Sequence, residues 1–346
     1  MKQIKIKRKK TVLHKIFVKI CRLLGYEIID QSNLFLPVSN ESGDGYISIQ
    51  GKKSITIPHG VVKIQRPVKS LDIIIRTCAS VKMLSQSKER LFEKEKFVYS
   101  LSTLKSIINA INFSKDKLKN IPISITIIDH KSEKKIIDIF KSILKDADIK
   151  STIVDLDFNK YKNQIKETNE ENKKVHVNQL SNMSNINQSL ELGKTFNDLI
   201  YFVEDDYIHS KESILEMVLA YEKLATQLNN ELFLCPADYP YLYNETEPTS
   251  ILLGDKFHWR RVNQTLCTFL TSNTLLKKYF SELTDMCKYE HYPFEKPLHK
   301  IYEKEYCFSP IPSLAVHFTN INSVYGISPN INLDKLWKDN EFKINL

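Results

Sequence analysis

From residue 71 onward, short runs of apolar, β-branched residues alternate with longer stretches whose apolar positions recur every three or four residues. The runs LDIIIRT (71–77), ISITIID (123–129), STIVDLD (151–157), LIYFVED (199–205) and ELFLCPAD (231–238) predict strands, and VHVNQ (175–179) a further short one. Residues 89–113 predict a helix on the spacing of Leu91, Phe92, Val98, Leu101, Leu104, Ile107, Ile108 and Ile111; residues 133–145, 185–196 and 210–228 predict three more. The polar, Lys/Asn/Glu-rich stretch 159–174 predicts an exposed loop. Strands that alternate with helices imply an α/β sandwich around a mainly parallel sheet. The uninterrupted apolar runs at 73–75, 125–128 and 199–203 suit strands covered on both faces.

The pattern before residue 71 is different. In TVLHKIFVKICRLL (11–24), Val12, Ile16, Phe17, Ile20, Leu23 and Leu24 recur at helical spacing with basic residues between them, the pattern of an interfacial amphipathic helix. Residues 31–70 read as irregular, with short strands at Tyr46–Ile49 and Ser54–Ile57. The expected organisation is a basic amphipathic segment (1–30), a lead-in (31–70) and one large domain (71–346) with halves at 71–210 and 211–346.

Charge changes the picture in one place. The formal net charge is +9, but nine of the 50 Lys and Arg residues lie within residues 1–24, where there is no acid, leaving 41 to balance the chain's 41 acids. The basic character is therefore an N-terminal feature, suited to an anionic membrane surface. No basic-aromatic module follows it, which argues against nucleic acid as a partner. Six scattered cysteines without a CxxC pair read as a reduced, cytosolic chain with no disulfide framework or structural zinc. No apolar run reaches the ~18 residues of a membrane span, and Lys15, Lys19 and Arg22 interrupt what a signal peptide would keep apolar. The expected location is the cytoplasm; the basic helix either rests on the inner face of the membrane or packs on the body of the protein or stays solvated. Only 8 glycines occur, and neither GxGxxG nor GxxxxGK[ST] is present.

Ligands of open α/β sheets bind at the carboxyl ends of the strands, so the residues that follow each strand carry the candidate chemistry. These are Arg76-Thr77, Asp129-His130 and Glu204-Asp205-Asp206. Three adjacent acids at a buried strand end repel one another and resist desolvation. A divalent cation relieves both, and carboxylates together with substrate phosphates are the usual ligands of Mg²⁺ and Mn²⁺. A solvated acidic turn that caps the helix at 210 satisfies the same residues without chemistry.

With these strand ends in view, residues 71–326 resemble a family 2-type glycosyltransferase with a GT-A fold. IIIRTCAS (73–80) resembles that family's first strand and nucleotide-contacting loop, and ITIIDHKS (125–132) its second strand, whose terminal acid contacts the base. NINQSLELGKTFNDLIYFVEDDY (185–207) resembles its Asn-containing helix and the strand ending in the DxD motif, here Glu-Asp-Asp. The resemblance implies Mn²⁺ or Mg²⁺ as cofactor, a nucleotide-sugar donor, and a glycan or lipid-linked acceptor. It makes Asp206 the direct metal ligand and sets Arg76, Thr77, Asp129, Asn187, Glu204 and Asp205 around the donor. It gives His317, in PSLAVHF (312–318), the part of a late metal or diphosphate contact.

An inverting transferase also needs a base for the acceptor hydroxyl. Glu295, just before Pro297 in HYPFEKPLHKIY (291–302), stands at a plausible helix start, and Asp255 in LLGDKFHWRR (252–261) is the second candidate. His258, Trp259, Arg260 and Arg261 are polar, aromatic and basic together, suiting an acceptor sugar and, through Arg260, the diphosphate. Asp238–Tyr241 are set to line the same acceptor pocket. Two other readings stand beside this one. A sugar-phosphate nucleotidyltransferase would carry a glycine-rich loop near Arg76, and none is there. A catalytically inactive glycan- or membrane-binding protein would share the fold and need no metal.

Overall fold

The computed structural model describes residues 11–26, 56–57, 61–80, 90–244 and 249–343. The strand expected at Tyr46–Ile49 and the first half of that at Ser54–Ile57 lie outside the described residues. The chain divides into two compact units, Met1–Lys63 and Ile64–Leu346.

In the first unit, helix α1 (Val12–Leu23) starts at Thr11, whose side chain accepts from the amide of His14. It ends where Gly25 takes φ +83°, the left-handed conformation that costs glycine no Cβ clash, and the Tyr26 amide closes back on the Cys21 carbonyl (2.9 Å). Strands β1 (Thr56–Ile57) and β2 (Val61–Val62) pair antiparallel.

The second unit runs β3 (Leu71–Thr77), α2 (Lys96–Ser114), β4 (Ile123–Asp129), α3 (Lys134–Asp146), β5 (Lys150–Asp155), α4 (Phe158–Lys162), α5 (Val177–Gly193), β6 (Leu199–Glu204), β7 (Tyr207–His209), α6 (Ser213–Leu228) and β8 (Phe233–Leu234). It continues with β9 (Ile251–Leu253), β10 (His258–Arg261), β11 (Phe269–Ser272), α7 (Asn273–Lys278), α8 (Phe280–Lys288), α9 (Lys296–Tyr302), β12 (Cys307–Ile311), β13 (Ala315–His317) and α10 (Leu333–Asn340). The main sheet has the order β5-β4-β3-β6-β11-β8-β12-β10-β9. Its first four strands are parallel, as expected, while β11, β10 and β9 run antiparallel to their neighbours. Strands β7 and β13 form a separate antiparallel ribbon.

The α/β class expected from the sequence is the one observed, and the period-two alternation of the strands explains its three layers. Ile73, Ile75, Tyr201 and Val203 face a core shared with α2, α3 and α6. Ile74, Ile128, Ile200 and Phe202 face the opposite core, shared with α5, α7 and α8. These side chains are at most 1% exposed, and burying each contributes on the order of 2 kcal/mol.

Several expected elements need correction. The segment 175–179 is no strand: α5 begins at Val177, with the His176 side chain accepting from the Asn178 amide at its start. Here local capping chemistry wins over a short apolar alternation. The helix expected from residue 89 begins at Lys96, the expected loop 159–174 contains α4, and the strand expected over 231–238 shortens to two residues.

Candidate active site

Parallel pairing brings three strand ends to one edge. Arg76 lies opposite Glu204 across β3 and β6, and Thr77 opposite Asp129 across β3 and β4. The acidic triplet then divides three ways, because β6 stops alternating where the chain turns into β7. Glu204 continues the Ile200–Phe202 face. It ion-pairs with Arg76 (3.3 Å) and accepts from the Thr268 hydroxyl (3.2 Å). Asp205 turns to the other face, where Ser100 of α2 donates to it (2.7 Å) and the Lys96 ammonium stands 3.6 Å away. Asp206 lies beside the β7–β13 ribbon. His317 Nε2 lies 3.1 Å from its Oδ2, and the Thr319 hydroxyl donates to the same oxygen at 2.7 Å.

The electrostatics follow the partners. Burial pushes the Glu204 carboxyl up against the pull of Arg76, and burial likewise raises Asp205 against Lys96. Burial alone would also raise Asp206, but the charge and hydrogen bond of His317, with help from Thr319, hold it at about 2. Burial in turn pulls His317 down, and the Asp206 charge outweighs it, so the imidazole is raised. Arg76 is 5% exposed, and its Nε and Nη2 make no hydrogen bond, which leaves a buried cation only partly satisfied.

Glu295 occupies the position that starts α9. Burial first, and the nearby Glu204 charge second, push its carboxyl up to about 7; Arg76 and His317 pull weakly the other way. Its Oε1 lies 3.9 Å from the Cys267 thiol. An aromatic group lies within electrostatic reach of it through Tyr325. Tyr325 packs against Tyr239 (5.5 Å) and Tyr241 (5.2 Å), and Tyr325 and Tyr241 are tied to the side chain and the carbonyl of Gln264.

The donor set fits a divalent cation. The His317 Nδ1–H points at the Tyr325 carbonyl (3.3 Å), which fixes the tautomer and leaves Nε2 as the lone-pair nitrogen once the ring is neutral. Nε2 and Asp206 Oδ2 are 3.1 Å apart, and the Thr319 hydroxyl lies 2.7 Å from each. No group of three or more His, Cys, Asp or Glu is gathered for a metal among the described residues. A cation held by Asp206 and His317 would take its remaining ligands from substrate phosphates and water, the usual manner for Mg²⁺.

Arg76, Glu204, Asp206, His317 and Glu295 thus come together. The remaining candidates are placed differently. Asp129 is 3% exposed, and Thr77 (2.7 Å) and Ser132 (2.5 and 2.9 Å) engage both its oxygens, so it fastens the turn after β4. Asn187 is buried in α5 against Gln164 (3.3 Å), whereas Asn185 reaches the Ile128 carbonyl on β4 (3.0 Å). Asp255 lies in the turn between β9 and β10, the two outermost strands. Arg260 pairs with Asp238 and stacks on Tyr243 (4.5 Å).

Trp259 does not meet a sugar. It is fully buried, and its indole N–H donates to Glu216 (3.1 Å), which also accepts from the amides of Asp255, Lys256 and Phe257. A Cβ on Gly254 would fall 2.4 Å from Glu216 Oε1, so this segment is built around a buried carboxylate.

Sequence reasoning missed Thr319, Thr268, Lys96 and Ser100. Thr319 was within reach, because it stands two residues beyond His317 on an extended segment and shares its face. Ser100 and Lys96 are spaced i, i+4 at the start of α2 and only tertiary packing aims them at Asp205.

No protein-family model matches the chain, and no curated protein sequence matches it. Among solved structures, the chain is similar to TarS of S. aureus, with TM-score 0.35 and 12% identity over 63% of this chain and 34% of that one. It is similar to the galactosyltransferase LgtC, solved with donor and acceptor sugar analogues, with TM-score 0.34 and 10% identity over 62% and 64%. Mouse xyloside xylosyltransferase 1 in its apo form gives TM-score 0.37 and 7% identity over 75% and 80%. The chain spans about a third of TarS and just under two thirds of LgtC.

Proposed function

We propose that the protein is a glycosyltransferase that moves a sugar from a nucleotide-diphosphate donor to a hydroxyl of a glycan or lipid-linked acceptor, with inversion at the anomeric carbon. One observation carries the reading. A carboxyl group poised at about 7, Glu295, shares an edge of the sheet with the Asp206–His317 pair, whose donor atoms suit a cation that binds a diphosphate.

In this reading Asp206 and His317 hold Mn²⁺ or Mg²⁺, and His317 gives up its Nε2 proton as they do. Such a cation, when bound, neutralises charge on the departing diphosphate. Glu295 in its carboxylate form takes the proton of the acceptor hydroxyl. The acceptor oxygen bonds to the anomeric carbon on the face opposite the diphosphate, and the bonding pair of the old C–O bond leaves with the diphosphate. Arg76 supplies a buried positive charge beside Glu204. Thr77, Asp129 and Asn187 act as the frame of the donor site, since their polar atoms are engaged within the protein. Glu295 is favoured over Asp255 as the base because Asp255 sits in the turn joining the last two strands at one side of the sheet, whereas Glu295 feels the charges of Glu204, Arg76 and His317.

The test is turnover of a panel of nucleotide sugars with Mn²⁺ or Mg²⁺ added and then chelated. Asp206→Ala is expected to lower transfer on the order of a thousandfold with an unchanged circular dichroism spectrum. Wild-type turnover by Asp206→Ala, or turnover indifferent to chelation, overturns the metal site.

A further inference from the structure

Among the described residues, helix α1 carries an apolar face that stays exposed. Val12, Leu13, Ile16, Phe17, Ile20, Leu23 and Leu24 are each between 49% and 80% exposed, and no α1 residue is buried. At about 100° per residue, these seven side chains fall within an arc of roughly 140°. Lys15, Lys19 and Arg22 fall together on one flank of that arc, within about 60°. No acid occurs in residues 1–24, which hold nine Lys and Arg.

A contiguous apolar surface of this kind marks an interaction site. The charge beside it identifies the partner. A hydrophobic protein groove would accept the apolar arc but has no need of a basic flank and a basic approach from residues 2–10. An anionic bilayer takes both, with the apolar arc in the acyl boundary and Lys or Arg at the headgroup level. Among the described residues no helix is long and apolar enough to cross a membrane, so the contact is one of lying on the surface. We propose that α1 is a membrane-surface anchor that inserts its Val12–Leu24 apolar face into anionic lipid and holds the protein there through Lys15, Lys19, Arg22 and the basic residues before them.

The experiment uses the full chain and sedimentation with vesicles of phosphatidylcholine alone or mixed with phosphatidylglycerol. Binding to the mixed vesicles is expected to exceed binding to neutral ones by roughly tenfold or more and to weaken as salt is raised. Phe17→Glu with Ile20→Glu, which removes the apolar face, and Lys15→Glu with Lys19→Glu, which reverses the flank, should each cost roughly tenfold or more in vesicle affinity. A Phe17→Trp reporter should shift its emission to shorter wavelength only when anionic vesicles are added; the native Trp259 and Trp337 are buried and supply a constant background. Three results overturn the proposal: equal binding to both vesicle types, double variants that bind as the wild type does, or emission from the Phe17→Trp reporter that is already shifted without vesicles. The last would mean that protein covers the face. The α1 variants touch none of the residues assigned to transfer, so loss of vesicle binding with unchanged turnover separates this inference from the proposed function.

Discussion

The two edges of the main sheet each hold an arginine beside carboxylates, half-buried at one edge and buried at the other, and they treat it in opposite ways. At the amino edge, Arg66 is saturated. Its Nη1 and Nη2 bind Asp198 (2.8 and 2.5 Å), while Nε and Nη2 bind Glu231 (2.8 and 3.0 Å). Burial opposes both charges there, yet the paired hydrogen bonds win: Arg66 is raised and Glu231 lowered. At the carboxyl edge, Arg76 has one ion pair at 3.3 Å and two nitrogens without hydrogen bonds, while Glu204, Asp205 and Glu295 are all pushed up. Charges that serve stability are paired until each is satisfied. Charges left perturbed at the strand ends are what the proposed donor site would use.

Substitutions on the two edges should therefore separate activity from stability. The largest effect belongs to the carboxyl edge. Glu295→Gln is expected to lower kcat by about 10²–10⁴ while donor binding, followed by calorimetry, stays within a few-fold; a kcat near wild type would remove Glu295 as the base. Next comes the amino edge. Arg66→Met leaves Asp198 and Glu231 facing each other without their cation and should cost about 3 kcal/mol in urea unfolding. The enzyme that remains folded should keep its kcat, and a kcat loss as large as that of Glu295→Gln would erase the distinction between the edges.

The third effect is a pH dependence whose sign is set by Glu295. Its carboxyl rises from the ordinary 4.5 to about 7, so between these values the folded state binds more protons than the unfolded one, and stability falls as pH rises. Glu295→Gln should accordingly raise Tm relative to wild type above pH 7 and leave it unchanged below pH 4.5, the reverse of what loss of a salt-bridged carboxylate produces. In the same range kcat/KM should climb with pH toward a plateau above about 7 as the base ionises. A flat profile would place the base elsewhere.

Much of the architecture was legible along the chain because it depends on neighbours in sequence. Apolar runs of β-branched residues and 3.6-residue spacing are local signals, and they located β3, β4, β5, β6, α3 and α6. They could not show that the far half of the sheet is mixed, since β11 pairs with both β6 and β8 across intervening elements. The acidic triplet at the end of β6 was also legible, together with Glu295 at a helix start and His317 late in the chain.

What the sequence by itself determined is the α/β order of elements, the strand end that carries Glu204-Asp205-Asp206, and the amphipathic pattern of residues 11–24. Only the tertiary structure decided how those three acids are divided: Glu204 to Arg76, Asp205 to Ser100 and Lys96, and Asp206 to His317 and Thr319. The same holds for Trp259, whose aromatic ring looked suited to a sugar and is spent on the core beside Glu216. The physical reason is common to both cases. A side chain's chemistry is written in its own residue, but its protonation and its partners depend on burial and on groups far along the chain, as Thr319 stands 113 positions from Asp206, that folding alone brings within hydrogen-bond distance.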